Sequence, residues 1–397
     1  MAISEKTTLR RQRWKREILS IIRTTPNASR ILVKRESGLS MDSTLSLIEE
    51  LLEEGLLLTL GKEDSGKAGR KATLLEINPE GAYFIGVRFS AAGISGALMD
   101  FSFSTVASSR IDFSTLPQES ELVDGILTCI SDLIDHLGEK KTRLCGIGLG
   151  APGIIDLNRG SIVRYVHIPG IRDLPLRQIV QDRFGVPVYL EHGVKCSARA
   201  AMLSDEQAET RDLLFMQTGR GIHLCVIIGG HIHTGMHYLS GEIGHMLIEG
   251  GLSLEEMTSS RTLCQLAQQG LGTKDPAFAL LERMNLAHIT LEDVIHAADL
   301  GCKGCIALLT CAGQAAATAL AASIMVVNPG QIIINGTLCA SSWFEIAVRQ
   351  TLQARCIPES LTGVNLRFIA SDPRQDATGA AMIPYHMQFS ARHETEN

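Results

Sequence analysis

A run of small hydroxyl residues behind a glycine turn is the first place where this sequence could do chemistry. Ser40, Met41, Asp42, Ser43, Thr44 and Ser46 follow Gly38-Leu39 and open a segment in which Leu45, Leu47, Ile48, Leu51 and Leu52 recur at helical spacing. The first turn of such a helix can offer hydroxyls and a methyl to base edges in a DNA major groove, as a recognition helix does. Ser40 is its predicted N-cap and Gly55 its C-terminal stop. The helix lacks arginine, so readout rests on hydroxyls and the Met41 methyl. Affinity is then left to phosphate contacts from Arg10, Arg11, Arg13, Lys15, Arg16, Arg30, Lys34 and Arg35. Asp42 would oppose phosphates, which keeps a protein-docking role for this segment as the alternative.

The elements that must position this helix are legible upstream and downstream. Trp14, Ile18, Leu19, Ile21 and Ile22 give residues 11–23 a helical apolar face, Pro26-Asn27-Ala28 breaks it, and Ser29 can cap a second helix through Ile31, Leu32 and Val33. Three short helices with a glycine turn before the last make a helix-turn-helix. Strands are predicted at 56–60 and 72–77, joined by a basic, glycine-containing loop over 61–71. In that loop Lys67, Arg70 and Lys71 could neutralise phosphates or enter a minor groove as a wing, the alternative being an ordinary solvated hairpin loop. Residues 1–75 hold 14 Lys and Arg against 10 Asp and Glu, a net of +4, so the rest of a chain of formal charge −6 carries −10. The basic end is the candidate for nucleic acid.

From Ala82 onward strands and helices alternate. Strands are predicted at 83–87, 94–99, 144–149, 187–190, 213–217, 224–228 and 332–334, with a helix at 120–137 and a helix-rich stretch over 258–327. The fold class is α/β: two lobes with a cleft between them, preceded by the winged module, with domains at 1–77 and 78–397. A length of 397 residues with 45% hydrophobic and 20% charged residues excludes a disordered chain. The N-terminus has no apolar core of a secretory signal, and the longest apolar stretch, 315–327, falls short of the ~20 residues of a membrane span, so no membrane role and a cytoplasmic location are expected. Ten scattered cysteines suit a reducing compartment. The one close pair, Cys302 and Cys305, lacks the partners of a zinc site nearby in sequence.

Several segments together resemble the ROK family (repressors, open reading frames, kinases). They are Gly38-Leu39-Ser40, Gly146-Ile147-Gly148-Leu149-Gly150-Ala151-Pro152-Gly153, Ile168-Pro169-Gly170-Ile171-Arg172-Asp173-Leu174-Pro175-Leu176, Gly241-Glu242-Ile243-Gly244-His245 and Val327-Asn328-Pro329-Gly330. The resemblance spans nearly the whole chain, and Gly-Glu-Ile-Gly-His is its most specific piece. It implies a two-lobed sugar-kinase/Hsp70/actin-like domain, preceded in the family's repressors by a winged helix-turn-helix and responsive to sugars.

Departures from the kinase pattern choose between the family's branches. An Asp-x-Gly-x-Thr phosphate loop is expected after the first strand, where the chain has Arg88-Phe89-Ser90-Ala91-Ala92, so the carboxylate that helps hold magnesium is replaced by a guanidinium. The Asn-Asp pair that carries the catalytic base is replaced by His192-Gly193. The second phosphate loop keeps Thr218-Gly219-Arg220-Gly221, with Ile222 and His223 where small residues are expected. The resemblance makes Gly153, His192, Glu242, His245 and Glu255 the ligand-binding candidates, since carboxylates and imidazoles can each satisfy adjacent hydroxyls of a polyol. The family's zinc cluster joins the histidine to three cysteines, but this chain runs Gly250-Gly251-Leu252-Ser253-Leu254 without one, so no metal and no cofactor are expected. The expected protein is a dimeric repressor of a carbohydrate operon, binding a palindromic operator and sensing a sugar with a catalytically dead domain. An active sugar kinase with an appended DNA-binding domain is the alternative, and a sugar-indifferent DNA-bound scaffold the third reading.

Overall fold

The computed structural model describes residues 2–62, 73–165, 167–168, 170–203, 212–236 and 238–390. The chain divides into two compact units, one from residues 1–204 together with 373–397, the other from 205–372.

The first unit opens with α1 (Ala2–Thr24), β1 (Ala28–Ser29), α2 (Arg30–Ser37), α3 (Met41–Glu53), β2 (Leu57–Lys62) and β3 (Thr73–Ile77). Local chemistry sets these boundaries. The Ser29 hydroxyl accepts from the Leu32 N–H at 3.3 Å, and Ser40 accepts from the Ser43 N–H at 3.2 Å, so both helices after the first are side-chain capped. Gly55 takes a left-handed φ of 70°, and the Leu56 N–H turns back to the Leu51 carbonyl, a glycine-terminated helix end. The strands pair in the order β1-β3-β2 against Ile18, Leu19, Ile22, Val33, Ile48 and Leu51.

The same unit continues with β4 (Tyr83–Ser90), β5 (Gly93–Asp100), β6 (Thr105–Asp112), α4 (Glu119–Asp135), β7 (Leu144–Ala151), β8 (Ile154–Asp156), β9 (Ser161–Arg164), β10 (Arg172–Leu174), α5 (Leu176–Phe184), β11 (Val188–His192) and α6 (Gly193–Leu203). Its main sheet has the order β11-β7-β4-β5-β6, parallel on one side of β4 and antiparallel on the other. The second unit holds β12 (Leu213–Thr218), β13 (His223–Ile228), β14 (His231–Ile232), α7 (Leu254–Thr258), α8 (Ser260–Gly272), α9 (Ala279–Arg283), α10 (Leu291–Asp299), α11 (Lys303–Val327), β15 (Gln331–Gly336), α12 (Ser342–Arg355), α13 (Pro358–Leu361) and β16 (Asn365–Ile369). Its sheet runs β14-β13-β12-β15-β16, the same plan of three antiparallel strands followed by two parallel ones. Among the described helices α11 alone has the length and apolarity to cross a membrane, and more than half of its apolar window is buried inside this unit's core.

The last helix, α14 (Pro373–Phe389), returns to the first unit. A Cβ at Gly86 would overlap the α14 backbone at Ala377 and Ala381, and one at Gly148 would overlap Ala380, so glycines in β4 and β7 let helix and sheet meet backbone to backbone. Tyr385 and Phe389 then join Phe84 and Phe101 in an aromatic cluster, and the Arg23 guanidinium lies 3.8 Å from the Phe103 ring centre. Arg16 Nε donates to the Gln388 carbonyl at 3.0 Å. The winged module therefore shares one core with the sheet behind it.

The strand and helix expectations hold where the pattern is strong. α1 starts at Ala2, well before residue 11, while β6, the small sheet β8–β10, β16 and α14 carry no expectation in the sequence. β6 is an edge strand with little burial, and α14 contains Pro384.

Candidate functional site

Two places in the first unit and one in the second carry the residues singled out above. On α3, Met41, Asp42 and Ser43 are exposed, as is the cap Ser40. Thr44 corrects the expectation of an exposed residue: it is fully buried, and its Oγ1 donates to the Ser40 carbonyl at 2.9 Å. With Leu47, Ile48 and Leu51 it forms the inward stripe of the helix, which a position three residues before Leu47 must join. Ser46 is half-buried and accepts from Arg11 Nη2 at 2.8 Å.

Several of the cations assigned to phosphates hold the module together instead. Arg11 pairs with Glu50, Lys15 lies 2.8 Å from Glu50 and 2.5 Å from Glu54, and Arg16 is bound to Gln388. Arg35 pairs with Glu36, Arg30 is half-buried, and Arg10, Arg13 and Lys34 are exposed. Lys67, Arg70 and Lys71 lie outside the described residues. A residue that the sequence did not flag, Arg143, donates through Nη1 to the Glu54 carbonyl at 2.8 Å and so caps the C-terminal end of α3.

At the end of β4 the Arg88 guanidinium is half-buried, and its Nη1 donates to the carbonyls of Phe89 at 3.2 Å and Gly150 at 3.4 Å. A Cβ at Gly193, the first residue of α6, would overlap that guanidinium. The two departures from the kinase pattern are thus one packing event: the arginine fills the space that a side chain at 193 would need. Around the neighbouring Cys196 stand Arg88, Arg199, Glu191 and Asp376, and burial pushes that thiol up to about 12. Glu191 is buried between Lys195 at 3.6 Å and Arg199 at 3.8 Å. His192 is half-buried, and its N–H donates to Glu191 Oε1 at 2.8 Å. Gly153 is exposed with a φ of 81°, and a Cβ there would overlap the Arg164 carbonyl, so its backbone conformation accounts for the glycine.

In the second unit Gly241, at a φ of 91°, packs on the backbone of Leu224, whose N–H donates to its carbonyl at 2.8 Å. That contact sets Glu242 beside His223 at the start of β13, with Oε2 3.5 Å from Nδ1. Glu255 comes from α7, where Ser253 and Glu256 form a capping box, and hydrogen bonds from Ser253 hold the Glu256 carboxyl below the usual range. Glu256 is therefore spent on the helix start, while Glu255 Oε2 lies 2.9 Å from where a Cβ of Gly221 would stand, with His223 Nε2 3.4 Å from the same point. Glu242, His223 and Glu255 gather around the Thr218–Gly221 turn, itself pinned by Thr218 Oγ1 to the Asn335 carbonyl and by the Ser260 N–H to the Gly219 carbonyl. His245 is exposed. His223 was visible in the sequence only as an oversized residue in a phosphate loop; its place beside two carboxylates needed the fold.

The residues present do not fit the zinc cluster of the family. Where the cysteines would stand, a hairpin closes itself through backbone bonds, Leu254 N–H to Met246 at 2.8 Å and Ile248 N–H to Leu252 at 2.9 Å, and Gly250 and Gly251 supply the turn. Among the described residues no group of three or more His, Cys, Asp or Glu side chains is placed to hold a metal ion.

The family model described as ROK family matches residues 84–383. The chain belongs to the ROK family. A xylose repressor from Bacillus spizizenii is 24% identical over 90% of this ROK chain and 91% of its own. The solved structure of a ROK family transcriptional regulator, described as a homologue of E. coli MLC, superposes with a TM-score of 0.81 at 20% identity over 96% of this chain and 97% of that one. A ROK family glucokinase from Streptomyces griseus, solved with glucose and AMPPNP, gives 0.61 at 19% identity, covering 98% of itself and 76% of this chain. The fold is thus that of ROK regulators and sugar kinases.

Proposed function

We propose that this ROK protein is a sugar-responsive, DNA-binding transcriptional repressor whose kinase-like portion no longer transfers phosphate. The observation that carries this reading is the Arg88 guanidinium filling the space of a side chain at 193, because a base cannot be held there while the arginine is. Losing a general base typically forfeits ~10²–10⁴ in rate, and an arginine in the place of the magnesium-side carboxylate removes a second contribution. The length of the match to a xylose repressor supports the same branch of the family.

In this reading residues 1–77 bind DNA and residues 78–397 bind the effector and a second copy. Ser40, Met41, Asp42, Ser43 and Ser46 face base edges, with Arg30 and the exposed Arg10, Arg13 and Lys34 on phosphates. A recognition helix reads only a few base pairs, so two copies on a palindromic site, half-sites about one duplex turn apart, supply specificity. In the second unit Glu242, His223 and Glu255, with His245, bind the hydroxyls of a sugar, Gly153 and His192 of the first unit being candidates by the family resemblance alone, and binding acts by its differential affinity for DNA-competent and DNA-incompetent states. α14 is one of two covalent routes between the units, and it is the one that follows the second unit directly and ends on α1.

Two assays on the full-length protein test this. ADP release over a sugar panel with Mg·ATP is expected to stay at the blank; sustained turnover on any sugar would restore the kinase reading. Gel-shift titration on DNA from upstream of its own gene is expected to show binding that weakens steeply with salt and exceeds that for unrelated DNA, and equal binding to both would remove the regulator reading.

A further inference from the structure

α3 is built against its own dipole. Its last two turns and its cap carry Glu49, Glu50, Glu53 and Glu54 and no basic residue, at the end where unpaired carbonyls already concentrate negative potential. Cations from outside the helix relieve this. Arg11 and Lys15 reach Glu50 and Glu54 from α1. Arg143 comes from the short 3-10 helix Gly138–Arg143 between α4 and β7, 89 positions beyond the Glu54 carbonyl to which it donates.

Arg143 differs from the other two in what it joins. α1 belongs to the same winged module as α3, whereas Arg143 immediately precedes β7, a strand of the first unit's main sheet. Its Nη1 donates to the Glu54 carbonyl at 2.8 Å and to the Gly81 carbonyl at 3.3 Å, so one nitrogen ties the end of α3 to the segment that leads into β4. The guanidinium lies over Gly55, where a Cβ would stand 3.1 Å from both of its terminal nitrogens. Asn78 Nδ2 donates to the Gly55 carbonyl at 2.7 Å, and Lys140 pairs with Glu80 at 2.5 Å, closing the same joint. The C-terminal end of α3 is thereby fastened to the sheet, while Ser40, Met41, Asp42 and Ser43 are exposed at the other end. At 1.5 Å per residue these 13 residues span about 20 Å, so a tilt of about 10° at the fastened end moves the exposed end by about 3 Å, enough to break a hydrogen bond to a base. We propose that Arg143 is a positioning residue for DNA recognition, which sets the angle of α3 to the first unit's sheet and touches no DNA itself. The inference rests on the DNA-binding reading above and adds to it a residue outside 1–77 on which base readout depends.

The test is equilibrium binding of the full-length protein to DNA from upstream of its own gene and to unrelated DNA, each across a salt series, with the melting temperature of every variant recorded. Arg143 is exposed, so its replacement empties no core. Arg143→Met is expected to weaken binding to the upstream DNA about fivefold and binding to unrelated DNA less than about twofold, because unrelated DNA is held through phosphates and not through base edges. The slope of log affinity against log salt is expected to stay that of the parent protein. Arg13→Met, which removes an exposed cation assigned to phosphates, is expected to reduce that slope by about one and so calibrates the comparison. Arg143→Lys keeps a charged donor for the two carbonyls and is expected to recover most of the lost affinity. A slope reduced by about one in Arg143→Met would make Arg143 a phosphate contact and overturn the inference. Equal losses on both DNAs, a lowered melting temperature with DNA affinity kept, or an Arg143→Lys protein as weak as Arg143→Met would overturn it as well, and each leaves the DNA-binding reading standing. A parent protein that binds both DNAs alike removes that reading and this inference with it.

Discussion

The two units repeat one strand order and treat its central strands differently. In the first, β4 and β7 pair Gly86 with Gly148, and α14 descends onto them until backbone meets backbone. In the second, the corresponding strands β12 and β15 pair Leu214 with Ile332 and Met216 with Ile334, whose large side chains line the core beneath the helices. The turns differ in the same sense. Arg88 and Gly193 close the first unit's turn with a packed guanidinium, whereas Glu242, His223 and Glu255 leave the second unit's turn lined with half-exposed acceptors. A duplicated plan has thus been specialised: one copy is tightened around a helix that anchors the winged module, and the other keeps groups suited to hydroxyls.

The largest effect should come from spoiling the close approach in the first unit. Gly86→Val forces α14 off the sheet and is expected to cost about 3 kcal/mol or more, read as a large loss of melting temperature together with loss of DNA binding. A variant that melts like the parent protein would show that the helix can shift freely and would dissolve the contrast. Next, Gly193→Ala must push aside the Arg88 guanidinium, the far end of a flexible side chain, and is expected to cost no more than about 1.5 kcal/mol in denaturant unfolding. Its natural control is Gly219→Ala in the other unit, where nothing lies within 4 Å of the added methyl and little change is expected. Equal costs at the two glycines would contradict the packed-against-open distinction.

Glu255→Gln keeps shape and removes charge from the second unit's turn. About tenfold weaker effector binding is expected by calorimetry, with the melting temperature unchanged, since Glu256 and not Glu255 holds the helix start. The opposite pattern, stability lost and binding kept, would make Glu255 structural. The smallest effect is expected at Ser40→Ala, which removes the α3 cap and should cost about 1 kcal/mol.

How much of this was legible in the sequence depended on how local each determinant is. Ser29, Ser40 and Gly55 act within a turn of their own helices, and each stands where the sequence pattern puts it. Thr44 is misread by composition, because a hydroxyl suggests solvent while its position in the stripe of Leu47 and Leu51 turns it inward. β6 is polar and at an edge, and α14 carries a proline and an early glycine, so neither shows a clean period. The departures from the kinase pattern at 88 and 193 are visible as two residues 105 positions apart; that the guanidinium of one fills the space of a side chain at the other is a tertiary fact. His223 was likewise legible as an anomaly and only the fold gives it a role, and the ties of Arg11 and Lys15 to Glu50 could not be told from phosphate-binding cations by type.

A sugar-responsive repressor requires that DNA binding in this ROK protein answer to a carbohydrate. Fluorescence anisotropy of the full-length protein on DNA from upstream of its own gene, with sugars and sugar phosphates titrated in, tests it most directly. One compound is predicted to change the affinity for that DNA by about tenfold or more while leaving unrelated DNA untouched; a complex indifferent to every compound would contradict the account and reduce Glu242, His223 and Glu255 to relics of a kinase.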